Sequence, residues 1–386
     1  MKQISNLSNV IKPSLTRRLF SMAKQFNDVI DFTLGDPDIQ PNNNIKTAAC
    51  TAINEGHTRY SQNAGLIELR NIISQKYKKE YEIDFSPDKE ILVSVGGMEG
   101  LYLSLLAILN SDDEVLIPMP YWINYGQMVQ MCGAIPIYVE SKSRDDLSIS
   151  IENIRRSITK KTKAIIINTP SNPSGLVIND SDLKEIAKIA IENDLYVIAD
   201  EVYKKIIFDG KKFNSIITIK DMKERTILIN SLSKEFCMTG YRLGYVAAPE
   251  NIIALMTALQ ENIAACAPLP SQYAAIEALA NDDLYSKNSV GEYEKRKNVL
   301  VEEIKKINKL SMREPEATFY AMINIKKTGL KSEEFAYKLL EKEHVAVVPG
   351  ITYGECCEGF IRVAFTIDEN KIREGIARIN NFVESL

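Results

Sequence analysis

A lysine stands among two serines and an arginine in the stretch SLSKEFCMTGYRLGY, residues 231–245. Lys234 follows TILIN, a short β-branched run with the pattern of a buried strand, and precedes a glycine-bearing return. A lysine on a solvated face normally keeps company with other charges, whereas this one stands where an apolar run ends. In YVIADEVY, from residue 196, Asp200 closes another strongly apolar run. A carboxylate buried there is costly unless a cation or a strong donor meets it. Asp200 is therefore either a helix cap or ion-pair partner, or a carboxylate that holds a protonated ring nitrogen, with Tyr203 placing a phenol in the same cavity. Asn172, in NTPSNPSG from residue 168, either belongs to an Asn/Pro-rich turn or donates its amide to a ring oxygen. Trp122, the single tryptophan, follows PMPY and is either a core residue or a plate on which a flat ring stacks. In SVGGMEGLYLSLL, from residue 94, a strand, two glycines and a helical pattern make an anion seat or a plain tight turn. This is neither a GxGxxG nor a P-loop, so nucleotide cofactors gain no specific support.

The elements that must carry these residues alternate in kind. ILVSV at 91, EVLIP at 114, IPIYVE at 135, AIIINTP at 164, YVIADE at 196 and TILINS at 226 read as strands. Helical patterns fall between them, over 98–109, 122–131 and 181–192. Such alternation predicts an α/β fold with a mostly parallel sheet and helices on both faces, whose ligands lie beyond the carboxyl ends of the strands. The Gly96-Gly97 pair, the 168–172 turn, Asp200 and the 231–234 stretch all fall at those ends. After about residue 285 the pattern changes to long charged helices and a few strands (FYAMINI, FIRVAF), which predicts a smaller α+β domain over 285–386. The N-terminal arm, residues 1–45, is expected to pack with it, leaving 46–284 as the large domain.

Composition narrows the chemistry further. A chain of 386 residues with 45% hydrophobic and 25% charged residues is that of an ordinary globular protein. The net charge of −4 comes without a dense basic stripe, so neither nucleic acid nor an anionic membrane is expected as the main partner. The N-terminal twenty residues lack the continuous apolar core of a signal peptide, no stretch is long enough to span a bilayer, and the scattered cysteines indicate no disulfide framework and fit a reduced cytoplasm, the expected location. The six cysteines, at 50, 132, 237, 266, 356 and 357, form no CxxC pair, and His57 and His344 have no ligand-like spacing. No metal site is expected.

Taken together, GDPD (35–38), TRYSQNAGLIELR (58–70), PYW (120–122), NTPSNPSG, ADEVY and the Lys234 motif strongly resemble the class I/II aminotransferases, pyridoxal-phosphate enzymes of the aspartate aminotransferase fold. The resemblance runs from TLGDPD to GFIRVAF, nearly the whole chain. It implies fold type I, with a seven-stranded sheet in a cofactor-binding large domain. It also implies a reaction that moves an amino group from an L-amino acid to a 2-oxo acid, through an imine on Lys234 and a pyridoxamine form of the cofactor.

The roles follow residue by residue. Lys234 resembles the Schiff-base lysine. An ordinary lysine is protonated at neutral pH, so this role requires a desolvated or positively biased site. Ser231, Ser233 and Arg242 resemble the phosphate contacts, with the Gly97 and Met98 amides opposite them. Asp200 resembles the partner of the pyridine nitrogen, Asn172 and Tyr203 the donors to the ring's phenolic oxygen, and Trp122 the residue stacked on the ring. Arg362, with Gly35 nearby, matches the clamp on the substrate's α-carboxylate; Trp122 and Asn172 also border the substrate. Tyr60 matches a tyrosine that reaches the phosphate in the neighbouring subunit, which implies a homodimer.

One departure bears on the substrate. In the similar bacterial aspartate aminotransferases the glycine pair is commonly followed by a lysine that meets a side-chain carboxylate; here that position is Met98. The expected donor is therefore neutral, sulfur-containing or aromatic. An aspartate/glutamate aminotransferase and a C–S β-lyase on the same scaffold are the alternatives. A cofactor-sensing regulator would need a DNA-binding domain for which residues 1–30 are too short. In PGITYGECCEG (349–359), Tyr353 is expected to line the substrate pocket and Cys356-Cys357 to be structural.

Overall fold

The computed structural model describes residues 3–5, 7–11 and 15–386. Of the arm expected over 1–45, residues 1, 2, 6 and 12–14 lie outside the described residues. A seven-stranded sheet runs in the spatial order Ile91–Ser94, Gly244–Ala247, Thr226–Ser231, Tyr196–Asp200, Thr162–Asn168, Glu114–Pro118 and Ile135–Val139. Only Gly244–Ala247 is antiparallel to its neighbours; the other pairings are parallel.

The apolar runs are continuous because both faces of the sheet are covered. Ile165, Ile167, Val197 and Leu228 enter one hydrophobic cluster, while Ala164, Ile166, Ile198 and Ile229 enter another on the opposite face. Each run stops where the next side chain would leave that sandwich, and this places Asn168 and Asp200 opposite each other, with Ser231 at the end of the next strand, two residues beyond the partner of Asp200.

The helices begin slightly away from the positions that periodicity predicts. The helix expected from Met98 starts at Gly96, because Glu99 accepts the Val95 N–H at 2.5 Å and closes the first turn from inside. The one expected from Ser181 starts at Asp180, capped by the Asn179 side chain on the Asp182 N–H at 2.9 Å. The one expected from Trp122 starts only at Asn124, which leaves the indole outside the helix.

A four-stranded antiparallel sheet (Val348–Pro349, Phe360–Ala364, Tyr320–Asn324, Ser311–Met312) forms the second body. Its core includes Phe319, Ile323, Ile361 and Val363, and Leu19, Ile30 and Phe32 pack into the same cluster. The N-terminal chain thus crosses to this body, and residues 33–38 bridge it to the ends of the large sheet. Arg296, 5% exposed on its side chain, fixes the far end of that bridge by a two-pronged contact with Asp38 at 2.7 and 3.2 Å.

Candidate active site

Beyond the carboxyl ends of the three parallel strands lies a cavity of about 320 Å³. Its wall brings together Gly35, Gly97, Met98, Trp122, Asn172, Asp200, Tyr203, Ser231, Ser233, Lys234 and Arg242, drawn from residues up to 207 apart in sequence. Of the residues given a role from the sequence, Arg362, Tyr60 and Tyr353 are not on this wall. Arg362 sits one contact behind it, and Tyr60 is 87% exposed on the outside of the chain.

One end of the cavity is built for an anion. The Gly96–Ile108 helix points its first N–H groups there, and Gly96 turns the chain at φ +78°. A Cβ at Gly96 would press on the Arg242 guanidinium at 2.7 Å, so the glycine lets the two approach. Arg242 itself takes the left-handed conformation at φ +52° and is held by the Thr239 carbonyl at 2.9 Å. The Ser231 and Ser233 hydroxyls lie 3.0 Å apart, with Ser231 also capping the short turn that carries Lys234.

At the other end, Asp200 is buried and accepts a hydrogen bond from the Tyr125 hydroxyl at 2.5 Å. The Val202 N–H supplies a second bond at 3.3 Å. No cation forms an ion pair with Asp200 among the described residues, and burial pushes its carboxyl up to about 6. Asn168 braces the arrangement by donating to the Asp200 carbonyl at 3.1 Å and accepting the Asn172 N–H at 2.8 Å. Trp122 meets Tyr125 edge-on, ring centroids 5.4 Å apart, and lines the cavity. Lys234 lies half-buried beside the 33–38 bridge, its Nζ donating to the Gly35 carbonyl at 2.7 Å.

Arg362 is 5% exposed. It donates to the Thr33 carbonyl and, at 3.3 Å, to Asn172 Oδ1, while its buried Nε has no hydrogen-bond partner among the described residues. Two aromatic rings hold the guanidinium, Tyr320 at 4.5 Å and Tyr353 at 5.2 Å. The expectation that Tyr353 lines the pocket is corrected: it is 2% exposed, off the cavity wall, and packs against Arg362 and Met119 in a buried cluster. Cys356 and Cys357 are buried in the same cluster, their sulfurs 3.7 Å apart. Tyr125 and Tyr320 were missed from the sequence. Tyr125 stands 75 residues from its partner Asp200 on an amphipathic helix, where nothing but its burial sets it apart from a packing residue. A larger cavity, about 770 Å³, shares only Tyr125 and Asn168 with this one and contains none of the charged groups just described.

A sequence model of the aminotransferase class I and II family matches residues 27–379. The chain is 38% identical over 380 residues to an aspartate aminotransferase of Pyrococcus abyssi, covering 97% of each. It is 36% identical over 385 residues to aromatic-amino-acid aminotransferase 2 of Thermococcus litoralis, covering 99% of this chain and 98% of the relative. Among solved structures, the aspartate aminotransferase of Thermus thermophilus with maleate superposes with a TM-score of 0.93 at 30% identity, each chain fully covered. Matched in sequence and in fold over nearly its whole length, the chain belongs to the class I and II aminotransferases and is a transaminase of fold type I.

Proposed function

We propose that this enzyme transfers the amino group of a neutral, sulfur-containing or aromatic L-amino acid to a 2-oxo acid, with pyridoxal phosphate held on Lys234. The observation that carries the reading is the cavity's two-ended character. A phosphate-sized anion site of two hydroxyls, an arginine and a helix start lies at one end, and a buried carboxylate that pairs with no cation among the described residues lies at the other. A ring bearing a phosphate and a protonated nitrogen satisfies both, and the family is one of pyridoxal-phosphate enzymes. Bound there, the cofactor supplies the electron sink that lets the bond between Cα and hydrogen break.

The chain's own groups do the rest. Ser231, Ser233, Arg242 and the Gly97 and Met98 amides hold the phosphate. Asp200, kept in place by Tyr125, faces the ring nitrogen, while Asn172 and Tyr203 orient the ring through its phenolic oxygen and Trp122 covers its face. Arg362, with a free donor at Nε, receives the substrate carboxylate next to Gly35. Lys234 Nζ, once released, is the group within reach to take the proton from Cα and return it. The division into a large domain over 46–284 and a smaller one over 285–386 with the arm 1–45 belongs to this reading. So do a cytoplasmic location and a homodimer in which the exposed Tyr60 reaches the partner's phosphate site.

For the donor class, Met98 is the supporting residue. It is 43% exposed at the cavity, and among the described residues the only cations on the wall are Lys234 and Arg242, both assigned to the cofactor. A distal carboxylate finds no dedicated partner there, whereas an apolar side chain finds Met98 and the partly exposed Leu34. The relatives bracket the choice, one named for aspartate and one for aromatic amino acids. The test is a half-reaction: single amino acids of each class are mixed with the yellow holoenzyme without a keto acid, and the cofactor absorbance is followed. Fastest bleaching by aromatic, sulfur-containing or neutral donors, reversed by a 2-oxo acid, supports the proposal. Fastest bleaching by aspartate or glutamate overturns the donor class, and ammonia release without bleaching overturns transamination.

A further inference from the structure

Tyr320 touches more of the site than any role yet assigned to it explains. It begins the strand Tyr320–Asn324, paired with Phe360–Ala364 so that Met322 faces Arg362 and Tyr320 faces Ala364. Tyr320 and Arg362 are therefore diagonal neighbours on one face of the sheet. The Tyr320 ring lies 4.5 Å from the Arg362 guanidinium carbon. Its hydroxyl is 3.4 Å from the Tyr203 hydroxyl, and the two rings meet edge-on with centroids 5.9 Å apart. That same hydroxyl fills the space a Cβ would need at Gly35, the residue whose carbonyl accepts from Lys234. The side chain is 3% exposed, borders the cavity and is set by its own N–H donating to Thr318 Oγ1 at 3.1 Å.

Two parts of one side chain thus meet two different halves of the site. The ring face supports the arginine that receives the carboxylate, a cation–π contact in a desolvated setting. The hydroxyl supports the phenol that orients the cofactor ring. We propose that Tyr320 is a positioning residue which couples the carboxylate clamp at Arg362 to the cofactor-orienting Tyr203. This rests on the roles assigned in the preceding section. The two halves are separable, because Phe keeps the ring and Leu removes it.

The experiment compares holoenzyme carrying Tyr320→Phe and Tyr320→Leu, each shown by melting temperature and circular dichroism to be folded. Turnover is measured with donor and 2-oxo acid varied, together with the dissociation constant of an unreactive α-methyl amino acid followed by cofactor absorbance. Tyr320→Leu is expected to raise KM and the analogue's dissociation constant roughly tenfold or more, the size of a desolvated cation–π contact. Tyr320→Phe is expected to leave both within about twofold and to lower kcat severalfold, the size of one hydroxyl contact to a neutral partner. Equal losses in the two variants, or a Leu variant with unchanged carboxylate binding, would overturn the proposal. Failure of the underlying roles would show separately, as an Arg362→Ala enzyme that binds the analogue normally.

Discussion

Tyr125 donates its hydroxyl to Asp200 at 2.5 Å, across a sheet end where no lysine or arginine pairs with that carboxylate among the described residues. The bond does for the buried carboxylate what an ion pair does elsewhere, yet leaves it without a neutralising charge. The site is therefore prepared for a cation that arrives with a ligand. Tyr125→Phe should weaken the hold on the cofactor and slow turnover roughly tenfold, about one hydrogen bond to a charged group. Asp200→Ala should slow it far more, roughly a hundredfold to a thousandfold, as for loss of a preorganised electrostatic partner. Cofactor affinity measured on the apoenzyme and single-turnover rates check both. Near-normal rates in Asp200→Ala would remove its role.

Immediately after Asp200, Glu201 is buried and hydrogen-bonded to Ser215, and burial pushes its carboxyl from 4.5 up to about 7. Lys204 opposes that shift, while Asp200 and Glu80 add to it. Because the folded form holds this proton more tightly than the unfolded form, its contribution to stability is complete below about pH 4.5. That contribution is lost as pH rises through about 7. The size is on the order of 3 kcal/mol. Melting curves of Glu201→Gln should therefore depend less on pH between these limits than those of the parent protein. An unchanged slope would show that Glu201 is ionised in the fold throughout.

Met98→Lys should restore a partner for a distal carboxylate. With a charge-assisted hydrogen bond gained by aspartate and none by phenylalanine, the ratio of their kcat/KM values should move toward aspartate by roughly tenfold to a hundredfold. Steady-state kinetics on both donors provide the check. An unmoved ratio would mean that this position does not meet the side chain of the donor.

The main features of the site could be read from the sequence because each is a local event. An apolar β-branched run that ends in Asp200, or in Ser231, announces a strand mouth by itself, and Gly96-Gly97 before a helical pattern announces an anion seat. Lys234 and Arg362 were different: spacing alone makes them an ordinary lysine and a strand arginine, and only resemblance gave them roles. What stayed hidden depends on approach in space. Tyr320 meets Tyr203 across 117 residues, and Tyr353 became a pocket residue by sequence position alone although its ring turns inward to Arg362. Short pairings such as Ile30–Asp31 with Val345–Ala346 carry too few residues for any period to appear. The helix starts shifted by one or two residues because caps such as Asn179 and the inward-folded Glu99 decide them, not the apolar stripe.

The central claim is that Lys234 carries the cofactor in the cavity at the sheet's carboxyl edge. Reduction of the holoenzyme with borohydride followed by peptide mass analysis tests it directly. The phosphopyridoxyl mass should appear on the peptide containing Lys234 and on no other lysine, and Lys234→Ala should bind cofactor without taking up the label or turning over. Label on a different lysine, or full activity in Lys234→Ala, would contradict the account.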